Sequence, residues 1–340
     1  EVPNQPLQFS DEPFEHTEDE LVAYSWDKAM DTADYSWPVY LPMVKSAVRA
    51  MDTVQALLPR IRQFVVTGFS KRGAATWLTA AVDPRVKAIA PGVFDILNFA
   101  PQAKHHVKVY GCFAPALKDY YDYRIFQRID TPEGIALELV VDPYTYIRRP
   151  GFRNRLSLPK YLINSSGDQF FLPDAARFYW SRLPGEKRIR YVPDSDHSLS
   201  NTATVFANTL TGLLGWYRAV LLNNPRPPIS WFLNESRTLV VKTSSPDATA
   251  RLWRATNATA RDFRLTSIGE AWTSSVLRST GAGVYEARVP PPRSGWTAYF
   301  VEVTYPGAVP QIYSTRIFVT PDRPRPFEEI NVTQATLCPQ

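Results

Sequence analysis

The sequence is poor in the residues that mark specialised frameworks. Only two cysteines, Cys112 and Cys338, occur in 340 residues. They are too few for a disulfide scaffold and too far apart in sequence for a metal knuckle, so their pairing and the redox compartment stay open. Glycine is sparse, 15 residues against 30 prolines. Proline at roughly twice its average usage excludes a collagen-like or flexible-linker chain and points to stiff loops and edge strands. No apolar run approaches the roughly 18 to 20 residues needed to cross a bilayer, so no membrane span is expected. Charge of one sign is scarce too: 38 Lys and Arg against 33 Asp and Glu leave +5. The basic residues are scattered or fall in short clusters such as Arg148, Arg149, Arg153 and Arg155. Without zinc-finger spacing or an RNA-binding sheet signature, nucleic acid is not an expected partner. No metal or organic cofactor is called for.

What is present is core material. Hydrophobic residues make up 44% and aromatics 13% of the chain, more than one core usually organises at this length, so two domains are expected. Met43, Val44, Ala47, Val48, Met51, Val54 and Leu58 recur at helical spacing, which makes much of 1–60 helical up to Pro59. A strand at 64–66, a turn at Gly68 and a helix over 71–81 follow. Further strands are read at 86–90, 161–164 and 189–192, with a helix over 173–183 between the last two. Such alternation predicts a parallel sheet with crossover helices. Residues 95–155, rich in Tyr, His and Arg, read as a cap-like insertion, and a helix spans 199–222. The run Asn223-Asn224-Pro225-Arg226-Pro227-Pro228 marks a boundary. Beyond it, short and partly alternating runs predict a β-sandwich of the immunoglobulin or fibronectin III kind. The expected division is 1–225, 226–325 and a tail over 326–340.

The segment Val65-Val66-Thr67-Gly68-Phe69-Ser70-Lys71-Arg72-Gly73 places a serine on a sharp turn between a strand and a helix, the arrangement of a nucleophile elbow. Its hydroxyl would project above the sheet edge, and the amide of Lys71 would point where an oxyanion develops. Gly68 would let the turn pass close to neighbouring strands and Gly73 would let the helix approach the sheet. Arg72 stands where the usual pattern has glycine. A serine needs a base and a base needs an orienting carboxylate. Asp168 follows one strand candidate and His197, one of four histidines, follows the next. Asp174 and Asp142 compete for the acid role; Asp194 and Asp196 read as turn-shaping.

The segments TGFSKRGAATWLTAAVDPRVKAIAP, VDPYTYIRR, PKYLINSSGDQFFLPD, LPGEKRIRYVPDSDHSL and the opening VPNQPLQF resemble the PhoPQ-activated pathogenicity-related protein family. The resemblance runs from residue 2 to about 225, more loosely beyond. It implies an α/β-hydrolase fold, secreted, with Ser70, Asp168 and His197 as a triad for hydrolysing an ester or peptide-like acyl group. The rival expectation, suggested by an amoebal member of the family, is an extracellular signalling or binding protein that keeps the fold without using it. An α/β-hydrolase places about four strands before the elbow strand, and these are missing here. The chain is therefore expected to begin inside a longer precursor, with a separate N-terminal fragment or a partner chain completing the sheet. Asn4 and Gln5 would then lie on the loop that supplies a second oxyanion amide, taken as that of Asn4.

Asn-x-Ser/Thr acceptors at Asn234, Asn257 and Asn331 favour secretion and glycosylation, while Asn164 falls in a buried strand and is expected to stay unmodified. His105 and His106, in the insertion with Asp95 and Tyr110, read as surface packing, with a metal site or a pocket wall as alternatives. The arginine cluster at 148–155 reads as a solvated basic face, with an acidic-substrate clamp as the alternative. Trp231, Trp253, Trp272 and Trp296 read as sandwich core, with sugar stacking as the alternative. A third reading makes the sandwich a targeting or assembly module.

Overall fold

A computed structural model of the chain describes residues 6–9 and 12–339. Strands β1 (Leu7–Gln8) and β2 (Glu15–His16) pair antiparallel ahead of helices α1 (Glu18–Thr32) and α2 (Tyr40–Leu57). On α2, Val44 and Met51 are buried while Leu57 near its end is exposed, so the helical periodicity buries one stripe as its spacing predicts.

Strand β3 (Phe64–Phe69), helix α3 (Lys71–Val82) and strand β4 (Val86–Gly92) come next. The following insertion is helical, with α4 (Phe99–Tyr110), α5 (Lys118–Asp122), α6 (Pro132–Val141), α7 (Pro143–Tyr146) and α8 (Pro150–Arg155). Proline opens α6, α7 and α8, where its missing N–H costs no helical hydrogen bond. This explains how a proline-rich stretch remains helical. Strands β5 (Lys160–Ser165) and β6 (Lys187–Val192) then extend the sheet in the order β3-β4-β5-β6, all parallel. Helix α9 (Ala203–Leu221) closes this part, starting at the Thr202 cap rather than at 199. The stretch 173–183 is not an α-helix; it forms two 3-10 turns, Ala175–Phe178 and Trp180–Arg182. Its buried Asp174 is drawn into ion pairs with Arg177 and Arg261, and the chain bends at Tyr179 with φ −136°.

β5 is buried throughout and β6 nearly so, although both carry polar residues: Lys160 of β5 donates to the Pro184 carbonyl and Arg188 of β6 to the Arg226 carbonyl. By contrast β3 is only partly buried, and among the described residues it pairs with β4 alone. Among the described residues the parallel sheet therefore begins with β3, the strand that leads into Ser70.

Nine strands follow: β7 (Ile229–Leu233), β8 (Leu239–Thr243), β9 (Thr249–Asn257), then after helix α10 (Leu265–Ile268) β10 (Thr273–Leu277), β11 (Ser279–Gly281), β12 (Val284–Ala287), β13 (Trp296–Tyr305), β14 (Gln311–Ser314) and β15 (Phe318–Thr320). They form two antiparallel sheets, β10-β9-β13-β14 with β15 also on β13, and β11-β12-β8-β7. Leu239 and Val241 of one sheet share a core with Leu252, Val301 and Val303 of the other, the packing of a sandwich. The pairing establishes that architecture and not the finer immunoglobulin or fibronectin likeness. β13 is buried on both faces because its other side, through Phe300 and Ala298, packs against Leu162, Ile189 and Tyr191 of the parallel sheet. Trp272 is buried in that same cluster, with Trp231, Trp253 and Trp296 against it. The final segment is docked. Val332 and Ala335 are buried, Leu337 bridges to Phe113, and Cys338 is disulfide-bonded to Cys112. Among the described residues no helix is long and apolar enough to cross a membrane.

Candidate functional site

Ser70 sits between β3 and α3 with φ 56° and ψ −129°, a left-handed conformation that a non-glycine residue holds only under constraint. The constraint is the tight strand-to-helix reversal. A Cβ on Gly68 would lie 2.4 Å from the Arg72 carbonyl oxygen, and one on Gly73 would lie 2.8 Å from Cβ of Phe94. Gly73 thus allows the helix onto the strand below, as expected. Gly68 instead clears the first turn of α3 rather than a neighbouring strand. Lys71 opens α3, so its N–H has no helical carbonyl to donate to and is available at the turn.

Two loops at the carboxyl ends of β5 and β6 bring Asp168 and His197 together. His197 Nδ1 lies 2.8 Å from Asp168 Oδ2 and 3.0 Å from Oδ1. Asp168 Oδ1 also accepts the N–H groups of Phe170 and Phe171, at 2.8 and 3.2 Å. The carboxylate is therefore fixed by its own loop, while His197 N–H donates to Gln169 Oε1 at 2.8 Å. Burial works against a charged imidazole at His197, but the charge and hydrogen bond of Asp168 outweigh it and raise the pKa above the ordinary histidine value. The opposite ring nitrogen, Nε2, is buried and has no hydrogen-bond partner among the described residues. Phe170 and Phe171 pack on the ring, with centroids 4.4 and 5.6 Å away.

Those phenylalanines and Ser70 line one narrow cleft, walled mainly by Trp26, Tyr40, Phe99 and Phe126. At its edge the Asp19 carboxylate accepts from the Tyr120 hydroxyl at 2.9 Å and pairs with Lys71 Nζ at 3.2 Å, and Lys71 reaches Glu18 at 2.6 Å. Both Asp19 and Lys71 lie close enough to His197 to act on its charge. Sequence reasoning missed these wall residues. They come from α1, α2 and the insertion, and only tertiary packing turns their rings toward Ser70.

Of the remaining candidates, Asp142 lines the same cleft as Ser70. Asn4 and Gln5 lie outside the described residues. Asp142 is buried, accepting N–H groups from Phe99 and Tyr144, and burial raises its pKa to about 6 against those bonds. Asp174 is buried in pairs with Arg261, Arg177 and His105. Asp194 accepts from Trp272 N–H and Asp196 from Ser198 N–H. His105 and His106 are buried, not surface packing. His105 Nε2 meets Asp174 at 3.0 Å, and His106 Nε2 accepts the Ala114 N–H while burial pushes its pKa to about 3. Solvation on the surface is replaced by fixed polar partners inside. No group of three or more metal-type ligands occurs among the described residues. Arg148, Arg149, Arg153 and Arg155 are exposed and apart from the Ser70 cleft, with Arg148 over Tyr144 and Arg149 over Tyr146. Asn164 is buried and Asn331 exposed; Asn234 and Asn257 are half-buried, and Asn257 Nδ2 donates to the Asp262 carbonyl at 2.8 Å. Behind the site, buried Asp95 accepts from the hydroxyls of Tyr179 and Tyr191, and burial lifts its pKa to about 7.

Autocrine proliferation repressor protein A of Dictyostelium discoideum is 34% identical over 330 residues, which cover 90% of this chain and 65% of that protein. The chain thus spans about two thirds of its relative's length. Among solved structures, acetyl xylan esterase 1 from Thermoanaerobacterium matches at TM-score 0.39 and 15% identity over 57% of this chain and 58% of its own. An acylaminoacyl peptidase from Pyrococcus horikoshii matches at TM-score 0.36 and 14% identity over 54% of this chain and 28% of its own. Likenesses so partial do not bear on chemistry. The PhoPQ-activated pathogenicity-related protein model matches residues 1–264, and with the parallel sheet and the serine turn in place, the chain belongs to that family.

Proposed function

We propose that this protein is a secreted serine hydrolase acting on ester or peptide-like acyl groups. The observation that carries the reading is the constrained Ser70 turn opening on the same cleft as the two phenylalanines that hold His197, with Asp168 behind the ring. In this reading Ser70 Oγ attacks the substrate carbonyl carbon while His197 Nε2 takes its proton. Asp168 keeps Nδ1 protonated, so that Nε2 presents its lone pair. The tetrahedral oxyanion is met by the Lys71 N–H, a single such donor lowering the barrier by roughly 3 to 4 kcal/mol. Collapse expels the leaving group, which receives the proton from His197; water then repeats the sequence on the acyl-enzyme and frees Ser70.

The apolar cleft next to Ser70 supports an acyl group of aromatic or branched aliphatic kind. The Cys112–Cys338 disulfide and the exposed acceptor at Asn331 support an extracellular setting. Glycans at Asn331, Asn234 and Asn257 belong to the same proposal, although Asn257 must first release its bond to Asp262. The open edge of β3 supports completion of the sheet by a separate segment or a partner chain, since an unpaired edge on a parallel sheet is costly.

A second reading, extracellular signalling without catalysis, is favoured by the name of the Dictyostelium relative. One experiment separates the two. A fluorophosphonate probe is expected to label Ser70 in the intact protein, and Ser70→Ala is expected to lose both labelling and esterase activity. No labelling of the folded protein would remove the hydrolase reading and leave the signalling one.

A further inference from the structure

Away from Ser70 lies a second, wider cleft, between the sandwich and the segment after β5. Its wall carries Arg177, Arg237, Arg288, Arg316 and Arg323 against one carboxylate, Asp322. That carboxylate is already engaged, since Arg177 holds it through Nη1 at 2.6 Å and Nη2 at 3.0 Å. Arg323 has Glu328 at 3.9 Å. Arg237, Arg288 and Arg316 form no ion pair among the described residues.

Arg316 is held in place, while the side chains of Arg237 and Arg288 are exposed. The Arg316 guanidinium lies 3.9 Å from the centre of the Phe318 ring and is half-buried. Phe318 is stacked on Tyr299 at 5.7 Å. Arg237 sits in the β7–β8 turn at φ 61°, its N–H donating to the Asn234 carbonyl at 2.9 Å. Arg237 and Arg316 line the same cleft as Tyr299. Burial and the nearby charge of Arg177 disfavour the Arg316 charge and outweigh the favourable charges of Asp174 and Asp322. Like charges gathered in a partly desolvated wall repel one another, and an anion among them turns repulsion into attraction. The guanidinium fork matches the paired oxygens of a tetrahedral oxyanion. Beside the forks the exposed Pro290 and Pro291 supply an apolar bed.

We propose that this cleft binds a small phosphate or sulfate ester, its oxyanion held by Arg237, Arg288 and Arg316 and its carbon frame laid against Pro290 and Pro291. The site shares no residue with the Ser70 cleft, so it is independent of the hydrolase reading. Calorimetric titration of the full chain with glucose 6-phosphate and with glucose 6-sulfate tests it, with glucose as the uncharged control. Saturable binding of either ester, with none of glucose, is expected, and the tighter of the two identifies the ester chemistry. Arg237→Ala and Arg288→Ala alter exposed side chains and should leave the melting temperature unchanged, while each weakens binding about tenfold. Arg316→Lys keeps the charge, loses the fork and should also weaken it. Binding of neither ester, or affinity unchanged in the Arg237→Ala/Arg288→Ala double variant, overturns the proposal.

Discussion

Beside Ser70 the walls are mainly rings and branched side chains, and the cation at the edge, Lys71, is already paired with Asp19 and Glu18. Beside Arg316 five guanidiniums face one carboxylate that is already taken. The difference lies in where the counter-charge comes from. In the first cleft it is built into the protein, so what enters is selected by shape and apolar contact. In the second it must be brought by the ligand, so what enters is selected by charge and by the oxygen geometry that fits a guanidinium fork. The two proposed sites thus differ in the kind of ligand each would select.

The largest effect that separates the two is on catalysis. Ser70→Ala is expected to lower kcat/KM on p-nitrophenyl esters by about 10^5 to 10^6, while glucose 6-phosphate binding, read by calorimetry, does not move. Loss of both would mean that the clefts are not independent. Next comes Asp168→Asn, expected to cost about 10^4 in kcat because the imidazole loses its tautomer control. The same variant sharpens the pH dependence. Activity requires neutral His197, and Asp168 raises the ring's pKa, so the wild-type rate falls as pH drops through a midpoint above the ordinary value of about 6.5. In Asp168→Asn that midpoint moves to lower pH; a midpoint that stays put would detach Asp168 from the base. A smaller effect concerns the acyl group. Benzoyl or isobutyryl esters should exceed succinyl esters about 100-fold in kcat/KM, since a carboxylate would be desolvated against the rings of Trp26 and Phe99 with no free cation to meet it. Equal rates would contradict the paired-cation description of the first cleft. The smallest effect is that of Arg237→Ala on ester hydrolysis, expected to stay within about twofold of wild type.

The elements that position the first site were legible in the sequence because their signals are local. Gly68, Ser70 and Gly73 fall within a few residues of one another, and Asp168 and His197 each follow a short apolar strand. The walls were not legible. Trp26, Tyr40, Phe99 and Phe126 belong to separate helices, and no local period says which rings will face a distant serine. His105 and His106 were misread as surface residues because their partners, Asp174 and the Ala114 amide, are not predictable from helical spacing. The 173–183 stretch has helical composition, yet it forms 3-10 turns beside the buried Asp174–Arg261 pair. The pairing of Cys112 with Cys338 spans 226 residues and carries no local signature. The arginine cleft is assembled from four separate segments, so even its composition was scattered along the chain.

The most direct measurement is a crystal structure of the full chain after reaction with a fluorophosphonate. The phosphorus is expected to be bonded to Ser70 Oγ, with one phosphonyl oxygen accepting the Lys71 N–H and His197 Nε2 within hydrogen-bonding distance of the adduct. An adduct on another residue, or one on Ser70 with the His197 ring turned away and Asp168 unpaired, would contradict the assignment of these three side chains to one reaction.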